Sequence, residues 1–372
     1  MKSKQSIGPY IWQSGDWPNF RWRSEDIIDL LSRISQLQGR LAGRMDLLGF
    51  KEKSRSILSS ISNELISSYE IEGVYLNPHS VRSSVARRLS LDYAGLPEED
   101  HYVDGLVEIM VDATENCRMP LTEERLFSWH AAIFPTGRSG IYKIRTGGWR
   151  EGKEAMQVIS GTFGKEKVHY EAPPAEKIPE MMSQFIEACN NLQYSPIVMA
   201  ALSHLWFVTI HPFADGNGRI SRILSDYFLS RLDVDGFRHF SMSEAINRNK
   251  KEYYAILEKT QKGTMDVTEW ILWFLHTLEN AIENSLKVLD RILDKSKFWT
   301  LHGDLIINER QRKVLNKLLD GFEGKLTSSK WARIGKCSQD TALRDINDLL
   351  IKGILIKGEG GGRNVHYILS KV

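Results

Sequence analysis

Residues 211–222 read HPFADGNGRISR, and this stretch decides the fold. An apolar run at residues 197–210 precedes it, and apolar side chains recur at helical spacing after it, from Ile220 onward. The sequence therefore predicts a tight polar loop between two helices. Pro212 cannot continue the first helix, and Asp215 is a natural cap for the second. The two glycines permit a sharp turn and a close approach of the backbone to a ligand.

The loop has the composition of a phosphate-binding site. Free N–H groups at a helix start attract anions, and turn amides arranged as a nest add to this attraction. Arg219 and Arg222 are three residues apart, so they share a helix face and can clamp a polyphosphate. Asp215 offers oxygen ligands suited to Mg²⁺, and a neutral His211 could take a proton from an incoming hydroxyl. This set of residues predicts attack on a nucleotide phosphorus.

The same stretch resembles the motif HPFxDGNGRxxR of the Fic family, with every fixed position filled. A generic glycine-rich turn with a core histidine would not need this ordered set of residue types. The resemblance implies transfer of AMP from ATP, with Mg²⁺, to a Ser, Thr or Tyr hydroxyl of a target protein. It makes His211 the general base, Phe213 the apolar anchor, Asp215 the metal ligand and Arg222 the γ-phosphate contact. The other implied phosphate-binding positions are Gly216, Asn217, Gly218 and Arg219.

Upstream, residues 67–73 read SSYEIEG. Ser68 and Glu72 lie four residues apart on one predicted helix face, and Gly73 suits a helix end. Alone, the stretch would be an acidic helix end with a glycine stop. Beside a Fic core it resembles the inhibitory motif [ST]xxxE[GN] of the family. The resemblance implies that Glu72 pairs with Arg222 and keeps this guanidinium from the γ-phosphate, which makes autoinhibition our hypothesis.

Short β-branched and aromatic runs between residues 140 and 170 predict a β-hairpin. In Fic proteins a hairpin at this position, the flap, lies over the active site and holds the target segment by strand-like pairing. The resemblance nominates flap and adenosine contacts at six positions, namely Val168, His169, Tyr170, Tyr253, Tyr254 and Gln261. Each of them could instead have an ordinary structural role in a strand, a core or a helix end.

Residues 303–372 read as three helices followed by two strands around a glycine-rich turn, which resembles a winged helix-turn-helix domain. This segment contains 13 Lys and Arg against 8 Asp and Glu, whereas the other 302 residues contain 36 against 39. The charge difference favours nucleic acid as a partner. The predicted recognition helix weakens that case, because Asp340, Asp345 and Asp348 accompany Arg344 and would face phosphates badly. DNA binding and protein contact therefore stay open.

Length and composition set the remaining bounds. The 372 residues predict a mostly α protein in three parts. These are an N-terminal helical region with the inhibitory motif at 1–100, a Fic-fold helical bundle with its flap at 101–298, and the winged helix-turn-helix at 303–372. A net charge of +2 gives no global nucleic-acid or membrane signal. The absence of an apolar span or signal peptide, with three scattered cysteines, predicts a cytoplasmic protein without a membrane partner.

Several functional hypotheses stay open at this level. The leading one is a protein adenylyltransferase inhibited by Glu72, with self-modification and a homo-oligomer as further options. Hydrolytic removal of AMP from a modified protein also stays possible, because a glutamate near Mg²⁺ can position water. The motif specifies neither the nucleobase of the substrate nor the donor of the transferred group, so another nucleotide or phosphocholine transfer is compatible with it. Two hypotheses of a different class are a DNA-binding regulator that only senses nucleotide, which would not need His211, and a toxin released when Glu72 is displaced.

Overall fold

The computed structural model describes residues 9–91, 100–160, 167–232, 238–322, 324–358 and 365–370. The chain divides into two compact units, Met1–Gly43 with Gly49–Ser285, and Arg44–Leu48 with Leu286–Val372. Helices dominate both units, which confirms the predicted mostly α class. Across the described ranges, no helix combines the length and apolar surface that a membrane span requires.

The first unit is a helical bundle. Five of its helices begin with a side chain that caps a backbone N–H, supplied by Asn77, Asp100, Thr122, Ser195 and Ser241. The helices that begin at Ser24 and Thr268 both end in the second unit, because the units divide after Gly43 and after Ser285. In chain order the helices are α1 (Ser24–Asp46), α2 (Phe50–Ile71), α3 (Pro78–Arg88), α4 (His101–Glu115), α5 (Glu123–Ile133), α6 (Ile178–Asn191), α7 (Pro196–Ile210), α8 (Asn217–Leu229), α9 (Met242–Arg248), α10 (Lys250–Gln261) and α11 (Thr268–Leu301).

The centre of this unit is α7 packed against α8. After Pro196, every residue of α7 except Trp206 is buried, which explains why the helix is apolar on all sides. In α8, every residue except Gly218 is buried. Both ends of the loop at 211–216 are therefore fixed in the core, and the loop between them is held in place.

The predicted hairpin is present, together with a smaller one. The smaller pairs β1 (Arg138–Ser139) with β2 (Tyr142–Lys143), and the larger pairs β3 (Gln157–Ser160) with β4 (Lys167–Glu171), both antiparallel. In the larger hairpin the turn at 161–166 lies outside the described residues. Three of its apolar side chains are exposed, namely Val158, Ile159 and Val168.

The second unit has its own core. It contains α12 (Glu309–Leu319), α13 (Ser328–Gly335) and α14 (Gln339–Ile351), followed by the antiparallel strands β5 (Leu355–Lys357) and β6 (Tyr367–Leu369). Buried side chains from all five elements form one cluster around the fully buried Trp331. The described elements have the order expected from the sequence, and the glycine-rich turn between the strands lies outside the described residues.

Candidate active site

The loop at 211–216 is braced from within by Asn217. The Asn217 amide accepts a hydrogen bond from the N–H of Phe213 and donates one to its carbonyl, both at 2.9 Å. The Phe213 ring is fully buried against the rings of Phe127, Trp149 and Phe207. Phe213 therefore anchors the loop in the core. The side chain of Asn217 is committed to bracing, so this residue can serve an anion only through its backbone N–H.

The start of α8 has no capping side chain. Gly216 is the N-cap residue, with a φ of 83°, and no side chain caps the helix. The expectation that Asp215 is the cap is therefore wrong. Asp215 lies one residue too early, and its carboxylate accepts hydrogen bonds from the N–H of Gly216 at 2.5 Å and from the hydroxyl of Ser139. A helix start without a cap leaves N–H groups for an anion.

His211 ends α7 in the left-handed conformation, with a φ of 54°. Its Nδ1 lies 3.2 Å from the carbonyl oxygen of Val208. A carbonyl only accepts, so Nδ1–H donates to it and Nε2 carries the lone pair of the neutral ring. Burial lowers the pKa of His211 to about 4. The imidazole is thus neutral at pH 7, the state that a general base requires.

Arg150, which the sequence analysis missed, holds the backbone around His211. Its Nε donates to the carbonyl of His211 at 2.8 Å, and its own N–H donates to the carbonyl of Pro212 at 2.8 Å. The guanidinium also donates to the carbonyl of Pro173. Arg150 lies about 60 residues before the motif, and no local pattern marks it.

A second missed residue, His130, supports the other side of the loop. Its ring stacks on Phe213, with centroids 4.0 Å apart. The N–H of Gly147 donates to Nδ1, so the neutral ring carries its proton on Nε2 and donates it to the carbonyl of Asp215, 3.1 Å away. Burial lowers the pKa of His130 to about 4, which keeps this tautomer at neutral pH.

Arg222 is 2% exposed and is held by two residues near the end of α2. Its Nε donates to the hydroxyl of Ser68 at 2.9 Å, and its Nη2 donates to the carbonyl of Ser68 and to Oε1 of Glu72, both at 2.8 Å. Burial disfavours the charged form, but the Glu72 carboxylate raises the pKa of Arg222 above its usual value. Within the described part of the chain, Nη1 has no hydrogen-bond partner.

Arg219 is held mainly by aromatic rings. Its guanidinium carbon lies 4.7 Å from the ring centroid of Phe134 and 5.1 Å from that of Tyr69. Its Nη2 is 3.6 Å from Oδ1 of Asp215. Because Tyr69 belongs to α2, this helix contacts both arginines of the motif.

The end of α2 places Glu72 over the start of α8. The N–H of Gly73 bonds the carbonyl of Glu70, and the N–H of Val74 bonds that of Tyr69, both at 3.0 Å. With a φ of 75° at Gly73, this is a Schellman ending. A Cβ built on Gly218 would collide with Oε1 of Glu72. The carboxylate therefore lies against the helix start where a phosphate would otherwise approach.

Helices α9 and α10 fix this end of α2 independently of Glu72. Asn247 donates to the carboxylate of Glu70 at 2.8 Å, and Lys250 donates to the carbonyl of Glu70 at 3.3 Å. The hydroxyl of Tyr254, one of the nominated adenosine contacts, donates to the carbonyl of Ile71 at 3.1 Å. In this conformation Tyr254 contacts the C-terminal end of α2.

Three more of the nominated residues, Tyr170, Tyr253 and Gln261, lie in the interior of this structure. The hydroxyl of Tyr170 donates to the carbonyl of Thr209 at 2.6 Å, and that of Tyr253 lies 2.8 Å from Nε2 of His204. Gln261 is buried, and its Nε2 donates to the hydroxyl of Thr209 at 3.3 Å. In this conformation their polar groups are satisfied inside the protein.

The two remaining flap residues are accessible. Val168 is exposed on β4, and His169 is half-buried with its Nδ1 2.6 Å from Oε2 of Glu258. Hydrogen bonds from Lys262 and His169 lower the pKa of Glu258 to about 2. Glu258 is thus ionised and ties the flap strand to α10.

Asp215 is a suitable metal ligand only for an ion that brings other ligands with it. Among the described residues, no group of three or more His, Cys, Asp and Glu side chains could hold a metal. The Asp215 side chain is 44% exposed, and each carboxylate oxygen has a lone pair beyond its hydrogen bond. Mg²⁺ commonly uses one or two carboxylates together with substrate phosphates and water. The donor set fits Mg²⁺ that arrives with a nucleotide.

Known proteins resemble this chain in sequence. Residues 10–91 match a family described as Domain of unknown function (DUF4172), and residues 120–229 match the Fic/DOC family. A protein adenylyltransferase Fic from Drosophila willistoni is 23% identical over 277 residues, which cover 71% of this chain and 50% of the relative. One from Nematostella vectensis is 33% identical over 118 residues, 30% of this chain and 25% of the relative. The chain spans about half the length, or less, of these curated relatives.

Solved structures share the fold. A Fic family protein from Desulfovibrio desulfuricans G20 aligns with a TM-score of 0.54 and 20% identity, over 94% of this chain and 97% of that one. A Fic domain containing signaling protein from Bacteroides thetaiotaomicron aligns with a TM-score of 0.51 and 19% identity, over 69% and 95%. Together with the filled motif at 211–222 and the family match around it, these findings identify the chain as a protein with a Fic/DOC family domain.

Proposed function

We propose that the protein transfers AMP from ATP to a hydroxyl side chain of a target protein, and that Glu72 inhibits this transfer. The observation that carries the proposal is the contact of Glu72 with Arg222 and Gly218. The carboxylate is bound there by Arg222, a donor that would also bind a phosphate oxygen. An anion site therefore exists beside a neutral histidine, and the chain fills it with its own side chain.

The proposed reaction is an in-line displacement at the α-phosphorus of ATP. A bond forms between the target oxygen and the phosphorus, the bond to the β-phosphate oxygen breaks, and pyrophosphate leaves. Nε2 of His211 accepts the hydroxyl proton. The N–H groups at the start of α8, with Arg219 and Arg222, bind the phosphate oxygens and stabilise the charge that develops on them.

Mg²⁺ is part of the proposal through Asp215. When bound, it would neutralise charge on the phosphates, and the carboxylate of Asp215 would hold it. Ser139 and the N–H of Gly216 orient this carboxylate. Positioning the carboxylate is the contribution of the chain itself.

The flap and the second unit complete the proposal. The exposed edge of the larger hairpin supports backbone pairing with an extended target segment. That segment can belong to another protein or to a second copy of this one.

Three helices and a hairpin in the second unit support a winged helix-turn-helix module that contacts a macromolecule. The three free cysteines, of which Cys117 and Cys189 are buried, support a reducing compartment such as the cytoplasm.

The test uses the Glu72→Gly protein with ATP and Mg²⁺, analysed by mass spectrometry. We expect AMP on a hydroxyl side chain of the protein itself or of an added extract protein. His211→Ala in this background should abolish the modification. His276→Ala, which changes an exposed histidine on α11, is the matched control and should not affect it. Persistence of the modification in the His211→Ala protein would move the base elsewhere, and no modification in any variant would reject AMP transfer.

A further inference from the structure

The exposed face of α14 carries less uncompensated acidic charge than the sequence of the helix suggests. Asp345 is 5% exposed and points into the second unit, where Arg310 binds it through Nε at 2.5 Å and Nη2 at 2.8 Å. The Trp331 indole N–H also donates to it, at 3.3 Å. The Arg310 guanidinium, helped by these hydrogen bonds, keeps the pKa of Asp345 low despite burial. Asp345 is therefore an internal ion-pair partner and not part of the outer face.

Asp348 is also neutralised within the unit. Its carboxylate accepts hydrogen bonds from Lys352 at 2.5 Å and from Gln311 at 2.7 Å. These contacts lower its pKa, so the carboxylate is ionised and compensated. Of the three acidic residues that weakened the case for DNA, Asp345 is buried, Asp348 is 44% exposed but paired, and Asp340 is exposed. The electrostatic objection from the sequence is largely removed.

The side chains that do face outward suit base recognition. The first two turns of α14 and the position after them expose Gln339, Leu343, Arg344 and Asn347. Arg pairs with guanine, Asn and Gln pair with adenine, and an apolar side chain contacts the thymine methyl group in the major groove. Arg333 of α13 and Lys357 of β5 are exposed basic residues on the neighbouring elements. Such residues hold phosphates and fix the orientation of the helix.

We propose that the second unit binds duplex DNA, with the N-terminal half of α14 in the major groove. The inference rests on the winged helix-turn-helix assignment proposed above, and it extends that assignment by naming the partner. Helices of this class place their N-terminal residues against base edges. Duplex DNA is the complementary partner because residues 303–372 carry 13 basic against 8 acidic residues. Of the eight, Asp345 is buried against Arg310, and Asp348 is paired with Lys352 and Gln311.

The other end of α14 has a different character and is left out of the DNA surface. Ile351 is 87% exposed, and Ile306 is 89% exposed. The Nζ of Lys352 donates to the carbonyl of Ile306, so the two isoleucines lie in the same region of the unit. An apolar patch of this kind suits protein contact, which is the competing outcome of the test.

The experiment titrates the full chain into a fluorescent random-sequence duplex of about 20 base pairs, a length typical of a protein site. We expect binding at about 50 mM KCl that weakens on the order of a hundredfold at about 200 mM, as four phosphate contacts would cause. Arg344→Glu and, separately, Arg333→Glu should each weaken binding at least tenfold. Lys313→Glu on α12 makes the same change of charge outside this face and should weaken it far less. Circular dichroism should show each variant folded.

Two outcomes would overturn the proposal. One is no binding of the parent protein at low salt, and the other is equal weakening by the three charge changes, which would indicate only a general charge effect. Sedimentation of the same samples tests protein contact, since a change of oligomeric state caused by Arg344→Glu would assign the face to that role instead of DNA. AMP transfer by the same proteins is a separate readout. Its failure with DNA binding intact would reject the proposed reaction and leave this inference standing.

Discussion

Replacing Glu72 by Ala should activate the enzyme, because it removes one ligand from Arg222 and leaves the rest of the helix end in place. Ser68 still accepts hydrogen bonds from the same guanidinium edge, since its contacts use a hydroxyl and a main-chain carbonyl. The Schellman ending at Gly73 uses only backbone groups and does not need the carboxylate. The change therefore tests the carboxylate itself and not the fold of α2.

The size of the effect follows from the contact. A hydrogen bond to a charged group contributes about 1.5–3 kcal/mol, and Arg222 is almost fully buried. Glu72 is 31% exposed, so solvent screening places the value in the lower part of that range. Each 1.4 kcal/mol corresponds to a factor of ten. We expect AMP transfer by Glu72→Ala to be roughly tenfold to fortyfold faster than transfer by the parent.

The assay is incorporation of AMP labelled at the α-phosphate, measured at one ATP concentration for all variants. Glu70→Ala is the matched control, because Glu70 lies two residues away on the same helix end and binds Asn247 instead of Arg222. Glu72→Gln should give an intermediate rate, since its amide oxygen still accepts from Arg222 without the charge. Equal rates for Glu72→Ala and the parent, or equal activation by Glu70→Ala, would refute the reasoning.

Two further predictions concern stability. Gly218→Ala should lower the free energy of unfolding by about 1–3 kcal/mol, because the added Cβ meets Oε1 of Glu72, and the loss should largely vanish in a Glu72→Ala background. Thermal melts of the four proteins give this coupling, and equal losses in both backgrounds would place the carboxylate elsewhere. The pKa values of His130, His204 and His211 are lowered by burial to about 4, 3 and 4. The unfolded chain therefore binds up to three more protons as the pH falls from about 6.5 to 4, and stability should drop by up to about 4 kcal/mol per pH unit there. Melting temperatures that are constant between pH 7 and 5 would contradict this.

The sequence predicted what depends on local order and missed what depends on packing. The helix–loop–helix and the hairpin follow from proline, glycine and the pattern of contiguous residues, whereas the Glu72–Arg222 pair is implied by the resemblance to the Fic family. Arg150 acts on the carbonyl of His211 from a separate segment, and no periodicity marks such a contact. Asp345 shows the same limit, because its sequence neighbours suggest a groove-facing charge while Arg310, 35 residues earlier, draws it inward.

The nominated adenosine contact Tyr253 illustrates a related limit. A tyrosine near a ligand and a tyrosine in a core have the same local pattern, and only the partner of the hydroxyl distinguishes them. Tyr253 finds that partner in the buried His204, whose own pKa is lowered because it is enclosed. The apolar sequence of α7 predicted burial of that helix but could not indicate which distant side chains would reach its single histidine.

The proposed inhibition would use the same physical chemistry as the reaction that it would prevent. Carboxylate and phosphate oxygens prefer the same donors, namely an arginine fork and free N–H groups at a helix start, so both cannot occupy them at once. The body of α2 is held elsewhere, by Glu64 on Ser241 and Ser243 and by Glu70 on Asn247. Removal of the Glu72 carboxylate from Arg222 therefore does not require the helix to leave, because a side-chain rotation is sufficient. A change of the Glu72 side-chain rotamer would then be enough for a nucleotide to replace the carboxylate at Arg222.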